Sequence, residues 1–556
     1  MLFLTLLLAC GTTDPVGEKP VPDTDTTDTT DTTDTTDTDV PVAPGTGILL
    51  VNEVVTDNES TWQFDGDALP DWIELYNPGT APIDLSTVSI ADDSGSVWRG
   101  TEGTIEPGEY LVLAADEYGT VGYLPFSLSS GGDELIVMVG SDVADRVIIP
   151  ELPSDVAWAR LPDGGVTWGA TVVTTPEDTN PEFASVDLDP KTAALSDAIV
   201  HQLEFEITAE QYNILNSWNE TWAFSELTID GIHYDKIDMR LKGSASFDLM
   251  DGKPQFIIDV NQYEPERRFR EMKGFKLHNG NILDPTRTRD SISYQLARES
   301  GIMAPRVGWA EVYVNDSYFG IYVMIEDYDS DMIEEWFPGE KDLGAIFEPN
   351  EAQDGGWGGD FCSGDVNFQY EVGPIPPDPL TLDALNQASS ICGKASTDEN
   401  VLALWDHVDQ EDLYNYMAWE SMVMHTDGYR APNNWRVYVD ASYKVHLVPS
   451  GAEWTWDFAV QPWTSNGQLS DFCLDNVGCK RDYAQHLLTM ADKVEELDLL
   501  TRFEDLSAWL DPLLQADPRS PHNATDIANA RASTRDSLQN NPGDIRVDVE
   551  QEFPGL

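Results

Sequence analysis

Beyond residue 46 the chain alternates short apolar runs with clusters of Gly, Pro and Asp. "GILLVNEVV", "DWIELYNPG", "YLVLAA" and "DELIVMVG" are β-rich runs closed by turn residues, with no convincing helix between Gly47 and about Thr175. Several such strands in succession predict a β-sandwich over 47–175. From about Phe183 the pattern changes. "LEFEIT", "KIDMRLKGSAS", "PQFIIDV", "GFKLHN", "AEVYVN" and "YFGIYVMIED" predict more strands, interrupted by a helix at "TRTRDSISYQLARESG". In that helix Ile292, Leu296 and Ser300 share a face and Gly301 supplies a stop. After about Thr397 helical spacing dominates. "DQEDLYNYMAWESMVMH" opens on Asp409 as N-cap with acids in its first turn, and Leu413, Tyr416, Met417 and Met424 fall on one side. A stranded part followed by a helical part predicts an α+β domain over 183–556, with a cleft between the two. The fold class expected is therefore multi-domain, a β-sandwich followed by an α+β domain.

The chain's start has a different character. "MLFLTLLLAC" is too short to span a bilayer as a mature helix. It resembles a bacterial lipoprotein signal (residues 1–10) with Leu7-Leu8-Ala9-Cys10 as the lipobox, although no Lys or Arg precedes the apolar run. The resemblance implies lipidation of Cys10 and a lipid-anchored protein at the outer membrane or surface of a bacterial cell envelope. Residues 11–46 include "DTDTTDTTDTTDTTDTD", which has no apolar side chain to offset chain entropy and predicts a disordered, charge-extended tether.

Charge narrows the partners. Against 31 Lys and Arg stand 100 Asp and Glu, a formal net charge of −69. Nucleic acid is excluded as a partner, since binding it takes clustered cations, and contact with an anionic membrane is expected through the lipid anchor alone. Four further cysteines, Cys362, Cys392, Cys473 and Cys479, suggest two disulfides in an exported chain. Pairing by proximity gives Cys362–Cys392 and Cys473–Cys479, one of three connectivities. Neither pair has zinc-site spacing.

The candidate chemistry lies in "HTDGYRAPNNWRVYVD", His425 to Asp440. Phosphoryl transfer from ATP takes a carboxylate base to receive the hydroxyl proton, oxygen ligands for a divalent metal, and cations for the phosphates. Asp427 as base, then Asn433 and Asn434, then, past a hairpin, Glu453 as an acidic metal ligand follow the order in which a protein kinase places its base, its asparagine and its metal-binding acid.

Two stretches resemble known families. Asn52-Glu53, "DWIELYN" from Asp71 and "GTIEPGEYLVL" from Gly103 are similar to a lamin-tail domain, an immunoglobulin-like module whose resemblance implies binding or spacing. Asp71 and Glu74 read there as polar strand-end residues, with cation ligation as the other reading. "MRLKGSAS", "KPQFIIDV", "GFKLHNG" and "DPTRTRDSISYQLARESGIMAPRVGWAEVYVNDSYFGIYVMIED" resemble the CotH family of spore-coat-type atypical protein kinases. That resemblance implies a kinase-like fold, ATP with Mg²⁺ or Mn²⁺, and transfer to Ser or Thr of a secreted or surface protein. It makes Asp427 the catalytic aspartate and Asn433, Asn434 and Glu453 metal ligands. Lys253 becomes a phosphate contact, with Lys276 as competing choice, and Glu326 positions a cation. Arg287 contacts phosphate or Glu326, or else pairs with Asp290 at i+3. The family's Pro-Trp-Asp-x-Asp reads here Pro449-Ser450-Gly451-Ala452-Glu453, one aspartate lost and one lengthened. A degenerate, non-catalytic surface binding or adhesion lipoprotein is the alternative.

Overall fold

The computed structural model describes residues 48–556 apart from 65–67, 93, 117–122, 182–183, 186–187, 196–198, 219, 244–245, 281–282, 350–359, 363–367 and 375–376. The expectations for Cys10, the signal and the tether lie outside the described residues, as does Phe183.

The first compact layer pair is a β-sandwich. Leu50–Val55 pairs with Trp72–Tyr76 and Ala157–Arg160 in a five-stranded sheet whose outer members are Tyr110–Ala114 and Trp168–Thr171. Val97–Arg99, Val88–Ala91, Asp133–Val139 and Asp142–Ile149 form the four-stranded sheet. Alternating inward residues of both sheets, among them Val51, Ile73, Leu75, Ile90, Leu135 and Val137, make the core between them. Asn52, Glu53 and Glu74 are buried but satisfied. Asn52 donates to Glu74 and Asp163, and Glu53 accepts from Thr175. Their polar atoms are used within the sandwich, which favours the structural reading of Glu74. Asp71 likewise accepts from the Asn58 backbone.

The sandwich sits on the second domain through polar contacts. Gln63 exchanges two hydrogen bonds with the His233 backbone. Arg270 donates to the Asp155 and Val172 carbonyls, and its own N–H donates to Ser60 Oγ.

The second domain opens with a closed seven-stranded barrel. In spatial order its strands are Val200–Glu206, Ala223–Ile229, Ile232–Lys242, Gln255–Asp259, Gly274–His278, Ser317–Glu326 and Val307–Val314. Parallel pairing of Val307–Val314 with Val200–Glu206 closes it, and every other pair is antiparallel. Closure leaves no unpaired edge. Inward side chains such as Leu203, Ile237, Phe256, Phe275 and Tyr322 fill the interior.

The rest is mainly helical, around a four-stranded sheet ordered Phe368–Val372, Ala345–Pro349, Trp435–Val439, Val445–Pro449. Helices dominate from Pro379–Cys392 onward, earlier than the Thr397 expected. Helix Gln410–Met422 is capped by Asp409, whose carboxylate accepts from Asp412 N. Its packing differs from the one-sided reading: Tyr414, Ala418, Trp419 and Met422 are buried as well, because it runs through the lobe's interior. Met424 is not on it but past its end, in a left-handed conformation (φ 55°) that turns the chain into the candidate loop. The disulfides are Cys362–Cys392 and Cys473–Cys479. Among the described residues no helix is long and apolar enough to cross a membrane.

Candidate functional site

The loop 425–434 is clamped on every side. His425, fully buried, donates through Nε2 to the Gly451 carbonyl at 3.0 Å. Burial pulls its pKa down to about 4, so the ring is neutral at physiological pH. Tyr429 is buried too, and its hydroxyl receives the Leu469 N–H and reaches Asp360. Asn433 N returns to the Gly428 carbonyl. These bonds fix Asp427. Each of its carboxylate oxygens accepts one amide, Asn433 Nδ2 on Oδ1 and Asn434 Nδ2 on Oδ2, both at 2.8 Å. Burial raises the Asp427 pKa and the two amides oppose that rise. The structure thus brings the aspartate and both asparagines together.

The residues after the hairpin complete the constellation. Gly451 has φ 61°, and a Cβ there would lie 2.8 Å from Asn434 Cγ and Nδ2. Two residues on, Glu453 faces a cluster that the sequence reading did not assemble. His278 Nδ1 lies 3.3 Å from Asp290 Oδ2 and 3.9 Å from Glu453 Oε2. Lys242 Nζ sits 2.9 Å from His278 Nε2.

Local rules explain each placement. Lys242 pairs with Gln255, and Phe256 with Leu277. Directly opposed residues share a sheet face, so Lys242 and His278 leave the barrel at one rim on either side of Gln255. Asp290 lies in the first turn of helix Arg289–Glu299. Ser293, three residues on and so on the same helix face, hydrogen-bonds Thr455 Oγ1 and accepts from Trp456 Nε1. Trp419 of helix Gln410–Met422 donates to the Ser293 carbonyl. One helix face therefore fixes Asp290, the Glu453 segment and the helix that leads into the Asp427 loop.

Electrostatically the cluster is under stress. Burial drives Asp290 up to about 8, with Asp284 adding to it, and drives Glu453 upward with His278 opposing. Burial takes His278 down to about 3 and Lys242 down to about 8. Among the described residues, Asp290 Oδ1 and Glu453 Oε2 are buried with no hydrogen-bond partner. Both residues line a small cavity with Ser246, Gln255, His278 and Asp284. Orphaned buried carboxylate oxygens are costly unless a cation meets them. The donor set therefore fits a divalent metal, and Lys242, whose ammonium contacts an imidazole here, fits an anionic group beside it.

The structure gives the other predicted site residues partners of their own. Lys253 is 1% exposed, and its ammonium is committed to Asp517 and the Ile321 carbonyl. No face of it is left for phosphate. Lys276 is paired with Asp327 at 2.6 Å. Arg287 contacts neither Glu326 nor Asp290. It is fully buried, at φ 60°, and donates to the Gly280 and Asp284 carbonyls, bracing the turn before the Asp290 helix. Glu326 receives Arg306 and Lys191, so the cations it positions are side chains.

Fold and site define a two-lobed α+β domain with a buried carboxylate–imidazole constellation, preceded by a β-sandwich. Residues 239–505 match the CotH kinase protein family and residues 43–149 the Lamin Tail Domain family; the chain carries a lamin tail domain followed by a CotH kinase domain. It is 25% identical over 236 residues to the Invasin CotH7 of Rhizopus delemar, a match spanning 38% of either chain. The crystal structure of a Helicobacter pylori proinflammatory kinase, CtkA, aligns at 9% identity over 50% of this chain and 90% of that one, with a TM-score of 0.24. The barrel begins at Val200, ahead of the CotH match, because its first two strands are needed for closure.

Proposed function

We propose that the CotH domain transfers the γ-phosphoryl group of ATP to Ser or Thr hydroxyls of a secreted or surface protein, from a position at the bacterial cell envelope set by a lipid on Cys10. The observation that carries this reading is Asp427 held between two asparagine amides, one on each oxygen. Such a carboxylate cannot swing, and each oxygen keeps a lone pair for an incoming hydroxyl.

ATP with its divalent metal supplies the electrophilic phosphorus and the leaving group. Asp427 receives the hydroxyl proton as the new O–P bond forms and the bond from the γ-phosphorus to the departing ADP breaks. The amides of Asn433 and Asn434 hold Asp427; their carbonyl oxygens and the Glu453 carboxylate would hold the divalent metal. Lys242, with Lys276 and Arg436 close enough to act on it electrostatically, orients the anionic group. Gly451 and the longer Glu453 favour the second reading, a degenerate cleft that only binds. Incubation with γ-labelled ATP and Mn²⁺ or Mg²⁺ separates the two: label in protein, lost on Asp427→Asn, supports transfer, whereas no label and no nucleotide-induced thermal shift support binding alone.

A further inference from the structure

The cluster around Glu453 differs from an all-oxygen magnesium site in one respect: it presents an imidazole. The ligand atoms of His278, Asp290 and Glu453 lie within 4.8 Å of one another. The His278–Asp290 and His278–Glu453 separations of 3.3 and 3.9 Å approach the roughly 3.0–3.4 Å between neighbouring donors around an ion with bonds of about 2.1 Å. Asp290 is 1% exposed and lines the cavity, and its Oδ1 has no partner among the described residues.

We propose that His278 Nδ1, Asp290 and Glu453 bind one divalent transition-metal ion, Mn²⁺ or a softer ion in preference to Mg²⁺. Mg²⁺ takes oxygen ligands in a strict octahedron and sheds water reluctantly, whereas imidazole suits the later first-row metals. This inference deepens the phosphoryl-transfer reading by naming the metal class, but it stands on the ligands and holds without nucleotide.

The same ligation acts on Lys242. Without metal its ammonium donates to Nε2, which places the ring proton on Nδ1. Metal on Nδ1 moves that proton to Nε2, and Lys242 loses its acceptor. The imidazole keeps a single proton throughout, and the ammonium is released toward an incoming anion.

The test uses the full chain, stripped with chelator and free of nucleotide, titrated with Mn²⁺ in the presence of competing Mg²⁺ and followed by electron paramagnetic resonance. The expected result is one Mn²⁺ held at least tenfold more tightly than Mg²⁺, with electron-spin-echo modulation from a directly bound ¹⁴N. His278→Gln loses the ¹⁴N modulation and the preference, and Asp290→Asn weakens binding while keeping the modulation. With a net charge of −69 the surface also collects Mn²⁺, but surface carboxylates give no directly bound nitrogen. Equal affinity for the two metals, or bound Mn²⁺ without ¹⁴N modulation in the wild type, overturns the site. Near-UV circular dichroism of each variant confirms that loss of binding is not loss of fold. A metal bound with nitrogen coupling but no phosphoryl transfer upholds the site and counts against the kinase reading alone.

Discussion

The side chain of Asn434 occupies the space into which a Cβ on Gly451 would project, 2.8 Å from its Cγ and Nδ2. The aspartate that the family motif places at this position is therefore replaced sterically as well as chemically. The Asn434 amide fills its space while holding Asp427 at 2.8 Å. Gly451 also sits at φ 61°, where a side chain is strained.

Restoring the family residue should therefore fail. Gly451→Asp is expected to cost about 1–3 kcal/mol from backbone strain and displacement of Asn434, and to lower, not raise, any phosphoryl transfer. Thermal unfolding and a labelled-ATP assay on the same preparation check both.

Lys253 tests the reassignment of a sequence-predicted ligand. Its ammonium meets Asp517, just past the end of helix Leu499–Ala516, with both side chains buried, and a Cβ added at Gly320 would run into the same carboxylate. Lys253→Met leaves a buried carboxylate unpaired and should cost about 3–5 kcal/mol, while the double variant Lys253→Met, Asp517→Leu should recover most of that. Urea unfolding of the two variants measures it. A phosphate-binding lysine would instead lose nucleotide affinity with little change in stability.

His446 gives the domain a pH signature. It bridges Asp412, in the first turn of the helix leading to the Asp427 loop, and Asp440, at the turn of the hairpin leaving it. Burial pulls its pKa down, but the hydrogen bonds to the two aspartates overcome that and push it up to about 9. A raised folded-state pKa means the native protein holds a proton that the unfolded chain releases near 6.5. The stabilisation is complete below about pH 6.5 and lost as pH rises through about 9. Melting temperature should fall between pH 7 and 9.5 more steeply in the wild type than in His446→Gln.

Much of this was legible in local pattern. Short apolar runs such as Gln255–Asp259 and Gly274–His278 became strands where expected. Asp409 capped its helix, and the two close cysteine pairs bonded. The misses share one cause: the deciding partner is distant in sequence. Lys253 is claimed by Asp517, 264 residues away. Lys242 and His278 meet only because strand Gln255–Asp259 lies between theirs and sets the register. The left-handed turn at Met424 ended a helix that apolar spacing alone would continue. Barrel closure through a parallel pair more than a hundred residues apart carries no local signal.

The central claim, that Asp427 takes the hydroxyl proton in phosphoryl transfer, is tested most directly by the initial rate of ³²P incorporation into protein from γ-labelled ATP with Mn²⁺. Wild type, Asp427→Asn and Glu453→Gln are compared at matched folded fraction. The prediction is measurable transfer by the wild type and a fall of about 10²–10⁴-fold in Asp427→Asn, with Glu453→Gln also reduced. Equal incorporation by wild type and Asp427→Asn would contradict it.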